Sequence, residues 1–194
     1  MCIKNGAHER RRPARRLSPL LNAACFLSLF ILYFRMHRKI KTVQELLPLL
    51  AILRATGRKI VFTNGCFDLI HTGHTRYLAK AKSFGDVLVV AVNSDASVRV
   101  IKGKKRPINT EADRMETLAA LESVDFVTLF EEPDPYRVIS MLQPDVLVKG
   151  GDWPVEKIIG RDVVEARGGK VVNVPYVEGA STTGIIEKII KQCR

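Results

Sequence analysis

Apolar residues along the chain fall into two alternating patterns. Val43, Leu46, Leu47, Leu50 and Leu53 recur at helical spacing, which predicts an amphipathic helix from Thr42 to near Gly57, with Pro48 as a kink point. Lys59-Ile60-Val61-Phe62-Thr63 then reads as a strand, broken by Asn64-Gly65, and Tyr77, Leu78, Ala81 and Phe84 mark a helix over about 74–84. After Gly85-Asp86, Val87-Leu88-Val89-Val90-Ala91-Val92 is apolar without alternation, as in a strand buried on both faces. The rest reads as helix 113–121, strand 126–130, helix 135–142, strand 146–148, helix near 161–167, strand 170–174 and helix 182–192. Strands alternating with helices predict an α/β fold with a parallel sheet covered on both faces. Right-handed crossovers make it a Rossmann-like doubly wound sheet, with ligands at the C-terminal ends of the strands.

The polar motifs fall where that rule puts a site. Asn64-Gly65-Cys66-Phe67-Asp68 and His71-Thr72-Gly73-His74 join the first strand to the next helix. A helix N-terminus presents unpaired N–H groups and partial positive charge, so it suits an anion, and Gly65 and Gly73 let backbone approach it. His71 and His74, three residues apart, share one side of the first turn, where both imidazoles can meet one phosphate chain. A zinc site fits poorly: the chain has four histidines, no His-Glu-x-x-His and no clear third ligand nearby. Asn93-Ser94-Asp95 follows the second strand, Lys149-Gly150-Gly151-Asp152 the fourth, and Glu178 to Thr183 the fifth, so one crevice can contain them all.

Phe67-Asp68-x-x-His71-x-Gly73-His74 resembles the signature of the nucleotidyltransferase superfamily that includes the cytidylyltransferases. Ser97-Val98-Arg99, Lys102-Gly103, Arg106-Pro107-Ile108, Val148-Lys149-Gly150-Gly151-Asp152-Trp153 and Ser181-Thr182-Thr183 narrow the likeness to the adenylyltransferases of ADP-heptose synthesis, known both as separate enzymes and as the C-terminal half of a kinase fusion. The similarity runs from about Met36 to the C-terminus. It implies an HxGH nucleotidyltransferase fold and transfer of AMP from ATP to D-glycero-β-D-manno-heptose 1-phosphate, releasing pyrophosphate. A cytidylyltransferase acting on glycerol 3-phosphate and a non-catalytic nucleotide-binding regulator are the alternatives. The related glycerol-phosphate cytidylyltransferases carry an Arg just before the Ser-Thr-Thr element, where this chain has Pro175-Tyr176-Val177-Glu178-Gly179. That weakens the cytidylyltransferase reading and leaves more to the loop lysines or Mg²⁺.

The likeness implies His71, His74 and Lys102 as catalytic residues. Nucleotide contacts are implied for Thr63, Asn64, Gly65, Phe67, Asp68, Gly73, Asn93, Asp95, Lys104, Gly150, Asp152, Ser181, Thr182 and Thr183. Lys102 and Lys104 sit in a Gly-containing loop able to close over a triphosphate, whereas Lys105 reads as solvated surface. Ser181-Thr182-Thr183 can both cap the last helix and clamp phosphate. Asp68 reads equally as a loop anchor or a ligand contact, Trp153 equally as core or base platform, and Arg114 as an ion-pair partner. A phosphate monoester is largely dianionic at neutral pH, so the reaction needs no strong base; it needs cations and aimed N–H donors. No dense carboxylate cluster is apparent, so no protein metal site is expected, and Mg²⁺ is expected on the ATP phosphates.

Charge changes the picture little. The net +11 of the 194 residues divides into +6 in residues 1–35 and +5 in the remainder, modest for a domain that must hold two anionic substrates. No basic run interleaved with aromatics follows residue 41, so nucleic acid is not an expected partner. Cys2, Cys25, Cys66 and Cys193 lack paired spacing, which argues against a disulfide framework or structural zinc, and Cys66 reads as a small buried thiol rather than a nucleophile. Residues 20–34 form an apolar run behind an arginine cluster, shorter than the roughly 20 residues of a spanning helix and without a small-x-small cleavage site. Three readings stand: an extension ahead of a start at Met36, a membrane-associating helix, or an export signal. The first fits best, so residues 1–35 are expected to be an extension and 36–194 the nucleotidyltransferase domain of a cytoplasmic enzyme. A membrane partner is expected only if residues 20–34 anchor the chain. Family analogy adds a homodimer and a separate heptose 7-phosphate kinase that supplies the sugar 1-phosphate.

Overall fold

The computed structural model describes residues 34–151, 154–175 and 181–193. Residues 35–194 form one compact unit. Five parallel strands, β1 (Ile60–Gly65), β2 (Val87–Asn93), β3 (Phe126–Phe130), β4 (Val146–Gly150) and β5 (Lys170–Val174), lie in the order β3-β2-β1-β4-β5. The direction of winding reverses between β1 and β4, which are the neighbours at the switch point. The expected doubly wound sheet is the observed one.

Strand alternation divides the core in two. Ile60, Phe62, Val87, Val89, Ala91 and Leu147 pack with Leu46 and Leu50 of α1 (Val43–Ala55), Val138 and Ile139 of α5 (Tyr136–Leu142) and Val164 of α6 (Arg161–Glu165). Val61, Leu88, Val90, Val92, Val146 and Val148 pack with Leu78 and Ala81 of α2 (Thr72–Lys82) and Leu118 and Ala119 of α4 (Glu111–Ala119). A side-chain period of two sends successive residues to opposite faces, and burial on both explains why β2 is apolar from Val87 to Val92.

α1 starts at a capping box in which Thr42 accepts from the Glu45 N–H and the Glu45 carboxylate accepts from the Thr42 N–H, and the helix continues through Pro48. The edge of β3 is covered by Ile40, which bridges in parallel to Val127. One helix was not expected: α3 (Asp95–Lys102), capped by Ser94, which accepts from the Ser97 N–H at 3.1 Å. Lys102 is therefore the last residue of a helix rather than part of a loop. A short 3₁₀ turn at Val155–Lys157 is also new, and α7 (Thr182–Gln192) closes the chain. Among the described residues no helix is long and apolar enough to cross a membrane. The expectations for residues 1–33, including most of the apolar run, lie outside the described residues, as do those for Asp152, Trp153 and Glu178.

Candidate active site

A cleft of about 850 Å³ opens at the C-terminal ends of the strands. Its wall brings together thirteen of the expected residues: Asn64, Gly65, Phe67, Asp68, His71, Gly73, His74, Asn93, Lys102, Gly150, Ser181, Thr182 and Thr183. Three others do not reach it. Thr63 is fully buried on the α2 side of β1, its hydroxyl 2.6 Å from that of Tyr77, which in turn donates to the Val148 carbonyl at 3.1 Å. Asp95 turns its carboxylate to Arg114 Nη2 at 2.8 Å. Lys104 lies beyond α3, exposed and away from the cleft wall, as does Lys105.

The histidine pair sits at the N-terminus of α2, where His71 is the N-cap residue in extended conformation and makes no side-chain cap. The two rings stack with centroids 3.9 Å apart, and Phe67 meets His74 edge-on at 5.3 Å. Phe67 takes a positive φ of 46°, the turn that carries the chain from β1 towards α2. Both Nδ1 atoms are buried and without a hydrogen-bond partner among the described residues. Burial lowers the His71 pKa, and burial together with His71 lowers that of His74 to about 4, with the Leu69 backbone opposing. In the ligand-free protein at neutral pH, His74 is therefore an uncharged N–H donor.

Asp68, fully buried behind the loop, is an anchor. It accepts from Arg106 Nε at 2.5 Å, the Ile108 N–H at 2.8 Å and the Asn109 N–H at 2.9 Å, so it ties the phosphate loop to the segment after α3. Burial opposes its ionisation, but the Asn109 and Ile108 N–H groups and Arg106 outweigh that and hold the pKa below the usual carboxylate range. Arg114 does similar work from below. Its guanidinium donates to the Cys66, Asn93 and Asn109 carbonyls as well as to Asp95, which joins the ends of β1 and β2. The expected ion-pair role of Arg114 is what the structure shows. Cys66 lines the cleft with its thiol pKa raised by burial, against the pull of Lys102, Arg114 and Arg106, so at neutral pH it is a thiol rather than a nucleophilic thiolate.

At the other wall Ser181 caps α7, its Oγ accepting from the Gly184 N–H at 3.0 Å, while the Thr182 hydroxyl donates to the Leu69 carbonyl at 3.3 Å. The N-termini of α2 and α7 thus border one space. Gly150 sits against Tyr77, where a Cβ would lie 3.2 Å from the ring. Sequence reasoning gave no role to Arg106, Asp134, Lys149 or Lys157, all of which line the cleft. Arg106 and Lys149 both stand inside motifs of the family resemblance; the Lys149 Nζ donates to Asn64 Oδ1 at 3.2 Å, and burial pushes its pKa down. Among the described residues no group of three or more His, Cys, Asp or Glu side chains could hold a metal ion.

The model of the cytidylyltransferase-like family matches residues 62–188. The bifunctional protein HldE of Geobacter metallireducens is 56% identical over 153 residues, which are 79% of this chain and 31% of that protein. HldE of Hahella chejuensis is 53% identical over 150 residues, 77% of this chain and again 31% of the relative. The chain thus spans about a third of the length of these relatives. Among solved structures, a lipopolysaccharide core biosynthesis protein from Thermoplasma volcanium is 31% identical with a TM-score of 0.53, covering 64% of this chain and 100% of its own. A pantoate–β-alanine ligase from Francisella tularensis shares the fold at 17% identity, with a TM-score of 0.51 over 78% of this chain and 77% of its own. The family match begins inside β1, ends inside α7 and takes in every residue that lines the cleft; the chain belongs to the cytidylyltransferase-like family.

Proposed function

We propose that this chain is a nucleotidyltransferase that transfers AMP from ATP to D-glycero-β-D-manno-heptose 1-phosphate, giving ADP-heptose and pyrophosphate. The observation that carries the reading is the stacked His71–His74 pair, with its buried unpartnered nitrogens, in one cleft with the N-termini of α2 and α7. The motifs that resemble the adenylyltransferases of ADP-heptose synthesis, the HldE relatives and a neighbour named for lipopolysaccharide core biosynthesis support the choice of sugar.

A phosphate oxygen of the sugar 1-phosphate attacks the α-phosphorus of ATP, the bond from that phosphorus to the bridging oxygen breaks, and pyrophosphate leaves. No proton has to be removed from the nucleophile. The protein's part is to align two polyanions and to receive charge as it spreads over the transferring group. His71, His74 and the N–H groups opening α2 face the α- and β-phosphates. Ser181, Thr182 and Thr183 hold the far end of the triphosphate, and Lys102 closes from α3. Among the described residues the cleft's carboxylates do not make a cage for Mg²⁺: Asp68 is taken by Arg106 and two N–H groups, and Asp134 accepts from the Tyr136 N–H at 3.0 Å. Mg²⁺ would accordingly be held by the phosphates of ATP, where it would neutralise part of the triphosphate's charge.

The sugar 1-phosphate comes from a kinase activity outside the described cleft, in keeping with relatives that are called bifunctional and match this chain over only 31% of their length. A two-by-two screen of ATP and CTP against heptose 1-phosphate and glycerol 3-phosphate, read by pyrophosphate release, tests the proposal. Turnover with ATP and heptose 1-phosphate is expected. Preference for CTP with glycerol 3-phosphate, or no release with any pair, overturns it.

A further inference from the structure

Strand alternation splits the cleft as it splits the core. On β1, residues 60 and 62 face α1 and α5, so Asn64 does too, whereas Thr63 faces α2 and bonds to Tyr77. By the same count Asn93 continues Val87, Val89 and Ala91 on the α5 side, and Lys149 continues Leu147. The Lys149–Asn64 hydrogen bond across the switch point agrees with this register. The α2 side therefore holds the histidine pair and the two helix N-termini, while the α5 side holds two amides and a lysine. Asp134, between β3 and α5, joins them on the cleft wall.

The chemistry of the two halves differs. The α2 side offers N–H groups, hydroxyls and imidazoles, a surface for a chain of phosphates. The α5 side offers one ammonium among groups that both donate and accept. The Asn93 amide donates to Ser97 Oγ at 2.9 Å and Ser97 donates to the Glu132 carbonyl at 2.9 Å, so the amide is oriented with its Oδ1 left over. Lys149 has an amide oxygen for a partner and no carboxylate among the described residues. A partly buried ammonium without a counter-charge is costly unless an anion completes it. The amides beside it, with the exposed Asp134 carboxylate elsewhere on the same wall, suit a ligand with many hydroxyls.

We propose that the α5 side of the cleft is the acceptor subsite, where Lys149 binds the phosphate of the sugar 1-phosphate and Asn64, Asn93 and Asp134 read its hydroxyls. This rests on the proposed function, whose acceptor it locates. It also places the nucleophile opposite the histidines, with the α-phosphorus between the two halves.

The test is calorimetric and needs no turnover. The full chain, loaded with α,β-methylene ATP, is titrated with D-glycero-β-D-manno-heptose 1-phosphate, and separately the free chain with α,β-methylene ATP. Lys149→Gln is expected to weaken the sugar phosphate by about tenfold or more while the nucleotide analogue stays within about twofold. Lys149→Arg, which restores the charge, should recover part of the loss. Should Lys149→Gln melt early, Asp134→Asn carries the test, because Asp134 is exposed: it should weaken the sugar phosphate and spare inorganic phosphate. The inference is overturned if the wild-type chain binds no heptose 1-phosphate, if the variants lose the nucleotide analogue instead, or if they bind the sugar phosphate normally. Pyrophosphate release with normal acceptor binding in the variants would sink the subsite and leave the function standing; binding that follows the variants without any pyrophosphate release would do the reverse.

Discussion

Arg114→Met is the most telling perturbation of the scaffold, because the largest fully buried side chain in the described structure is a charged one. Methionine fills a similar volume but removes hydrogen bonds to the Asn109 carbonyl at 3.2 Å, the Cys66 carbonyl at 2.5 Å, the Asn93 carbonyl at 2.8 Å and the Asp95 carboxylate at 2.8 Å. Each buried acceptor left without a donor costs about 1–3 kcal/mol, and breaking a buried ion pair from one side costs about 3–5 kcal/mol. Asp95 keeps 24% of its side chain exposed, so water relieves part of its loss. With each of the three carbonyls at the low end of that range and water removing most of the Asp95 share, a net destabilisation of about 4 kcal/mol follows. For a domain of this size that is a fall in Tm of roughly 10 °C. Urea denaturation of the wild type, Arg114→Met, Asp95→Asn and the double variant measures it. The double variant should cost less than the sum of the singles, since the carboxylate that Arg114 neutralises is already gone. A loss below about 1 kcal/mol in Arg114→Met, the range of an ordinary surface change, would refute the claim that this guanidinium holds the ends of β1 and β2 together.

Turnover of His74→Ala should fall by about a hundredfold or more while ATP affinity falls less, as expected of a donor whose contact strengthens along the reaction; near-normal turnover in a folded variant would reject the site. The free His74 pKa is about 4, and bound phosphates must raise it. Between the free and bound values ATP binding therefore takes up a proton, so affinity should rise as pH falls from 7 to about 5, and calorimetry in two buffers of different ionisation enthalpy should show the uptake reduced in His74→Gln to the share of His71. Lys102→Ala should cut kcat/KM for ATP by about tenfold, roughly 1.4 kcal/mol, and Lys105→Ala should do little; equal effects would mean that only the general charge after α3 matters. A chain beginning at Met36 should keep its melt and its turnover, because the bridge from Ile40 to Val127 remains; loss of either would show that residues 1–35 belong to the folded domain.

Long apolar runs made the strands readable, and apolar spacing made most helices readable. The expected bounds of β3, β5 and α7 are the observed ones, because apolar stretches end there at turn residues or, for α7, begin at a serine cap. α3 escaped because it is short: its eight residues hold three large apolar side chains, of which Val98 alone is buried, whereas Val100 and Ile101 are 72% and 42% exposed. Its clearest sequence signal was Ser94, a weak cue beside so short an apolar pattern. The site was legible to the extent that it follows the chain, as in the run from Asn64 to His74. It was illegible where it crosses the chain, since nothing local links Asp68 to Arg106, 38 residues on, or Asn64 to Lys149, 85 residues on.

Thr63 and Asn64 show how fine the limit is. In the sequence they are adjacent polar residues at the end of an apolar run, with equal claims on a ligand. The pleat sends one under Tyr77 and the other across the switch point to Lys149, so a shift of one residue in the register of β1 would exchange them. That register is set by the core: Ile60 and Phe62 on one face and Val61 on the other are all fully buried, and a slip would put each on the wrong side of the sheet. Apolar packing at the start of β1 thus decides which polar side chain faces the ligand at its end. A change that lets the strand slip should damage the cleft even though it touches nothing in it.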